Sequence, residues 1–229
     1  MQVIARMKSD FPDKFGIPRQ SGLVNELHST IIFEPEFRNA DALRGLEDFS
    51  HLWIIWQFSK AVRDGWSPTV RPPRLGGNTR MGVFATRSPF RPNEIGLSSV
   101  KIVGIENTAE HGSVIHVAGA DLMDGTPIFD IKPYIPYCDC HTNATEGFTA
   151  TAGAYLLNVI DPLDLLLKIP ENKRQGLIGV LSHDPRPSYQ EDTDRVYGLT
   201  FADANIRFTI KGNTLTITEI HNTNKEENL

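Results

Sequence analysis

Five arginines (Arg71, Arg74, Arg80, Arg87 and Arg91) fall in the stretch RPPRLGGNTRMGVFATRSPFRPNEIGLSS, residues 71–99, which has no acid before Glu94. The whole chain carries 28 acidic residues against 23 Lys and Arg, a formal net charge of −5. Cations gathered in one segment of an acidic protein prepare a place for something anionic. Ser88 and Arg91 each precede a proline and are held extended. With two prolines in the loop, Arg87 and Arg91 have little freedom left to lose on gripping a ligand. Asn93 and Gly96 tolerate the turn that leads into a strand near Leu97. The stretch reads as a rigid, arginine-bearing loop between two strands. An ordinary surface turn with solvated arginines is the plainer alternative.

Three other places offer chemistry. FGIPRQ (Phe15 to Gln20) combines a glycine for close backbone approach with fixed donors at Arg19 and Gln20. Ser59-Lys60 closes an apolar run, LWIIWQF, and is expected beside whatever the sheet encloses. ADLMDGTP carries Asp121 and Asp124; Asp124-Gly125 is a type I′ hairpin signal, so turn-capping carboxylates are the bland reading. Arg19, Lys60, Arg87, Asp121 and Asp124 together suit a site that positions a charged ligand. Nothing points to a metal-activated water. H-E-x-x-H, G-x-S-x-G and G-x-G-x-x-G are all missing from the sequence. Cys138 and Cys140, with His141 beside them, are half a metal site at most; two reduced thiols are expected, since a bridge across one residue is strained.

The elements that must hold these residues are mostly strands. Alternation predicts strands at Gln2–Lys8, Ser29–Phe33, Met81–Thr86, Val100–Ile105, Val114–Ala118 and Ile128–Ile131. Leu52–Phe58 is apolar on both faces and is expected to be a buried central strand. Asn39 or Asp41 caps a helical turn through Ala42, Leu43 and Leu46. Many short strands and turn signals make residues 1–140 a β-barrel or sandwich. HTNATEGFTATAG (141–153) is a domain connection, and 154–229 a small α+β domain. That domain is expected to hold a helix at Glu171–Ser182 and strands at Tyr155–Ile160, Arg195–Phe201, Asn205–Lys211 and Thr214–Ile220. Neither a secretory signal nor a membrane-spanning apolar run is seen, and the expected location is the cytoplasm.

FGIPRQ, RGLEDFSHLW (44–53), RPPRLGG (71–77), GVFATRSPFRPNEIGLS (82–98) and DLMDGTPIFDIKPY (121–134) together resemble the TsaA-like (TrmO) family of tRNA threonylcarbamoyladenosine methyltransferases. The resemblance covers about the first 135 residues, and DPRPSY (184–189) extends it to the longer bacterial members. It implies a single-sheet β-barrel that binds S-adenosylmethionine, a homodimer, and methyl transfer to the exocyclic nitrogen of threonylcarbamoyladenosine in threonine tRNA. The implied cofactor contacts are Pro18, Arg19, Gln20, Ser59, Lys60, Arg87, Leu97, Asp121, Leu122, Met123 and Asp124. Ser59 stands where the family pattern expects histidine.

The residue types fit that chemistry. Transfer from a sulfonium is an in-line displacement that rests mostly on positioning. Arg87 or Arg19 can take the cofactor carboxylate in a two-bond fork. Asp121 and Asp124 suit its amino group and ribose hydroxyls, and Leu97 can cover the adenine. Asp124, Asp130 and Tyr134 are the candidates for the proton acceptor. Arg71, Arg74, Arg80 and Arg91 are the expected contacts for RNA phosphate or the substrate carboxylate. The competing reading is a non-catalytic module in which the barrel binds adenosylmethionine as an effector and the basic loop binds RNA or protein.

Overall fold

In β1 (Ala5–Lys8), Ala5 and Met7 are buried while Arg6 and Lys8 are exposed, the period of two that builds a one-sided sheet. The same pattern recurs in β2 (His28–Phe33) and β3 (His51–Gln57). A short pair, β4 (Thr69–Val70) and β5 (Met81–Gly82), precedes the long hairpin of β6 (Ile95–Thr108) and β7 (Gly112–Ala118). Then come β8 (Pro127–Pro133) and the one-turn helix α1 (Pro136–Asp139). The second part holds β9 (Asn158–Ile160), α2 (Glu171–Ser182), β10 (Tyr197–Phe201), β11 (Ala204–Lys211) and β12 (Thr214–Asn222). This computed structural model describes residues 1–72, 75, 77–150, 155–186, 192 and 195–223.

Six strands close into a ring in the order β1-β2-β7-β6-β3-β8, every neighbouring pair antiparallel. Met7, Ile31, Leu52, Ile54, Ile115, Leu122 and Ile128 fill its interior. A ring packed with side chains encloses no ligand. Ser59 and Lys60 lie just beyond the end of β3, as expected, and are exposed, while the ring interior beside them is filled by side chains.

Three expectations change. β3 is not buried on both faces: Leu52, Ile54 and Trp56 point inward, while Trp53, Ile55 and Gln57 remain half-exposed. The run Met81–Thr86 is strand only at Met81–Gly82 and then coils into a 3-10 turn, Val83–Ala85. There the Thr86 hydroxyl and Arg91 Nη1 both donate to the Val83 carbonyl (2.9 and 3.2 Å), taking a partner that a strand ladder would use. Asp124-Gly125 is not a hairpin turn either. β7 bonds β2 and β6, whereas β8 bonds β3 and β1, so the segment crosses from one side of the ring to the other. Only Gly125 of that dipeptide has positive φ, at 74°. A type I′ turn would require both.

The second sheet runs β10-β11-β12-β9, with β9 parallel to β12 and the other pairs antiparallel. Helix α2 occupies the expected bounds and buries Gly176, Leu177, Val180 and Leu181. This core also takes Phe11, Val24 and Leu27 from the segment between β1 and β2. Two glycines permit the close fit. A Cβ on Gly16 (φ +89°) would lie 2.1 Å from Leu199, and one on Gly179 would lie 2.4 Å from Val24. An ion pair, Asp10–Lys173 at 2.6 Å, and the hydrogen bond from Ala202 N to the Asp10 carbonyl complete the seam. Among the described residues no helix is long and apolar enough to cross a membrane.

Candidate functional site

Residues opposite each other in an antiparallel pair share a face. Trp53 pairs with Ser99 and Ile55 with Leu97, so the outward row of β3 continues into the outward row of β6. On this outer face lies a cavity of about 510 Å³, walled by His51, Trp53, Leu97, Ser99 and Tyr134 and rimmed by Ser21 and Arg87. Leu97 is 55% exposed, an apolar wall of the cavity left open to solvent. The Tyr134 ring lies 5.5 Å from Trp53 and 6.2 Å from His51. Trp53 Nε1 donates to Asp139 at 2.9 Å, which fixes the indole as a wall. Asp139 also accepts from Ile135 N at 2.8 Å; that bond first, and the indole second, hold its carboxyl below the usual range. Desolvation, reinforced by the Cys140 thiol and the Asp139 carboxylate, pushes the Tyr134 phenol up. Tyr134 is therefore a neutral hydrogen-bond donor, and a poor proton acceptor, at physiological pH.

The polar end of the site is built from three segments. Arg87 Nη1 donates to Gln20 Oε1, joining the arginine loop to the FGIPRQ segment. Trp56 Nε1 donates to Ser98 Oγ (3.0 Å), which donates to Asp121 Oδ1 (2.6 Å). Burial pushes the Asp121 carboxyl above its ordinary value; Ser98, the Ser21 backbone and the Arg87 charge oppose the shift without cancelling it. An ionised carboxylate short of compensating charge attracts a cation. Gly96 is required beside this relay, because a Cβ there would lie 2.3 Å from the Trp56 ring.

The structure thus brings Gln20, Arg87, Leu97, Asp121 and Tyr134 to one region and sends other expected residues elsewhere. Arg19 Nη2 donates to the backbone carbonyls of Asp184 (3.3 Å) and Arg186 (3.2 Å), across the seam. The Asp124 carboxylate accepts from Ser9 N (2.9 Å) and Lys8 Nζ (3.3 Å), also on the seam side. Leu122 is 1% exposed in the ring core, and Pro18 is buried. The Met123 carbonyl closes the local turn by accepting from Thr126 N. Asp130 pairs opposite Ile55, on the outward row, and makes an ion pair with Lys132 at 2.8 Å. Arg91 closes its own loop on Val83 and Thr86, whereas Arg71 and Arg80 are exposed. Arg74 and the Pro187–Tyr189 part of DPRPSY lie outside the described residues.

Sequence reasoning missed His51, Trp53, Ser98 and Ser99. The available signal was in β3 itself: a strand apolar on both faces, in a ring with only one interior, must present aromatic surface outside.

Comparison with known proteins gives this geometry a context. Residues 6–140 match the family model of the tRNA-methyltransferase O N-terminal domain, and 166–223 match that of the TrmO C-terminal domain. The chain belongs to the TrmO family. It is 42% identical over 216 residues to the tRNA (adenine(37)-N6)-methyltransferase of Escherichia coli K12, covering 90% of this chain and 91% of that one. A putative S-adenosylmethionine-dependent methyltransferase of Pseudomonas aeruginosa PAO1 is 36% identical over 221 residues, covering 90% of each. The crystal structure of TrmO from P. aeruginosa superposes with a TM-score of 0.78 at 31% identity over 97% of both chains.

Proposed function

We propose that this TrmO-family chain is a tRNA methyltransferase that uses S-adenosylmethionine to methylate N6 of adenine 37, in the threonylcarbamoyl form found in threonine tRNA. The observation that carries the reading is the outer-face cavity rimmed by Arg87, which Gln20 braces and whose charge acts on the nearby Asp121 carboxyl. It lies within a chain related over nine-tenths of its length to an enzyme of that name. Ligand pockets for small molecules span roughly 300–1,000 Å³, and about 510 Å³ suits a nucleoside bearing an amino-acid arm.

When bound, the cofactor supplies an electrophilic methyl group on a sulfonium. The chain supplies placement. Arg87, braced by Gln20, grips a carboxylate; Asp121, whose carboxyl burial pushes up and Arg87 pulls back down, takes the ammonium beside it. Leu97 and the Trp53 indole cover an adenine, and Ser59 and Lys60 stand at the open end of β3. Tyr134 keeps its proton and donates a hydrogen bond to the accepting base. Asp130, on the same outer face, is the carboxylate that takes the N6 proton. Its work is light, because a carbamoyl substituent already acidifies that nitrogen. Arg71 and Arg80 hold RNA phosphate.

The reading includes a cytoplasmic homodimer and needs no metal. Leu97 and Val103, 55% and 51% exposed on the outward row of β6, are apolar side chains that a second copy would cover. Mass spectrometry of tRNA nucleosides from cells with and without the gene tests it, alongside methylation of threonine tRNA by the purified chain. Loss of the methylated nucleoside on deletion is expected. An unchanged nucleoside profile together with no transfer in vitro overturns it.

A further inference from the structure

Beyond the cavity, the segment from Ala61 to Arg91 presents a second feature that the reaction does not use. Trp66 is 53% and Phe84 70% exposed, and their rings lie 5.9 Å apart at 31°. The Arg91 guanidinium lies 5.7 Å from the Phe84 ring on the same patch. Beside it, the Arg63 guanidinium sits 3.7 Å over the ring of Phe90, itself 36% exposed. The Val83 N–H bond to the Pro68 carbonyl fixes the Trp66 segment against the Phe84 segment. The segment thus carries two exposed ring–guanidinium groups, Trp66 and Phe84 with Arg91, and Phe90 with Arg63. None of these rings belongs to either core.

Aromatic surface left in water and interleaved with arginine suits stacking by unpaired bases, which offer a π-face whatever their identity. Charge decides the kind of partner. Residues 60–93 hold seven cations (Lys60, Arg63, Arg71, Arg74, Arg80, Arg87 and Arg91) against the single acid Asp64. A two-fold contact between copies of this patch would set like charges against each other. A polyanion carrying exposed bases meets no such repulsion. Arg87 on the cavity rim and the platform residues Phe84, Phe90 and Arg91 belong to one loop, so the same loop supplies both the lip of the site and the platform.

We infer that Trp66, Phe84 and Phe90, with Arg63 and Arg91, form a stacking platform for the unpaired anticodon-loop bases that flank the target adenine. The inference rests on the tRNA reading above and adds the residues that hold the loop open beside the cavity.

The probe is an anticodon stem–loop RNA of threonine tRNA with 2-aminopurine beside adenine 37. Binding to the wild-type chain should quench its fluorescence. Trp66→Ala and Phe84→Ala should each weaken binding about 5- to 150-fold, the range for one lost stacked base, and relieve the quench. The slope of affinity against salt should stay unchanged, because no charge is removed. Trp66→Phe should restore most of the quench, and Arg80→Gln should flatten the salt slope while keeping it. Both aromatic side chains are mostly exposed, so an unchanged melting temperature checks the fold.

Wild-type affinity and quench in both alanine variants overturn the platform. So does a shift from dimer to monomer without loss of quench, which would assign the patch to a second copy. The two readings separate in the wild-type chain: methylation without quenching sinks the platform alone, and quenching without methylation sinks the methyltransferase reading alone.

Discussion

The same two chain segments, residues 8–27 and 119–126, serve both the cavity on the outer face of β3 and β6 and the seam against the second sheet, and they divide residue by residue. Gln20 meets Arg87, while its neighbour Arg19 reaches the carbonyls of Asp184 and Arg186. Asp121 takes the Ser98 hydroxyl, while Asp124, three residues on, takes Ser9 N and Lys8. The seam is finished internally: Phe11 sits edge-on to Phe201 at 5.4 Å, and Asp10 is paired with Lys173. The cavity is unfinished, with a half-buried carboxylate whose pKa burial has raised and a leucine in water. Completed interactions stabilise the fold; incomplete ones are what a ligand can complete.

The largest test of this division is Phe11→Ala. Phe11 is 2% exposed, and truncating such a ring costs about 3–5 kcal/mol. Calorimetry should show the loss as a lower melting temperature, with adenosylmethionine affinity retained well below the transition. If affinity collapses at temperatures where the chain is still folded, seam and cavity are one unit.

Arg87→Lys keeps the charge but not the two-bond fork, and it should weaken adenosylmethionine binding by about 1.5–3 kcal/mol, or about 10- to 150-fold. Titration calorimetry reads this directly. Arg19→Lys is its control on the seam: affinity should hold while stability drops. The opposite pairing of results would exchange the roles of the two arginines.

Asp121→Asn sharpens the contrast through pH. The folded pKa of Asp121 lies above its unfolded value, so the ionised group burdens the apo fold at neutral pH. That burden fades as pH falls through the folded pKa and is gone below the unfolded one. The amide still accepts from Ser98 and should raise the apo melting temperature at pH 7, with the gain shrinking on acidification. Cofactor affinity should fall at the same time. A variant less stable than wild type at pH 7 would show that Asp121 is already fully compensated.

Asp124→Asn should have the smallest effect, because its ion pair with Lys8 is a surface one worth roughly 0–1 kcal/mol. Methylation rate should stay near wild type. A marked loss of rate with an unchanged melting temperature would return Asp124 to the reaction.

Local pattern determined much of this protein. The short-strand content, the long helix with its bounds and the β6–β7 hairpin follow from periodicity and turn chemistry within a few residues. Of the two cap candidates the structure uses Asn39, and the turn it caps ends at Leu43 before a second turn begins at Leu46. The cation-rich segment and the absence of nucleophile motifs are also sequence facts, and the ordered motifs FGIPRQ to DLMDGTPIFDIKPY pointed to the family. Ring closure could not be read locally. Which face of β3 becomes the interior depends on β6 and β8 arriving on either side, and only then does Trp53 turn outward to wall a cavity. The fates of Arg19 and Asp124 were hidden for the same reason. Their partners lie 165 and 115 residues away in sequence, and a side chain's choice between ligand and protein is made where distant segments meet.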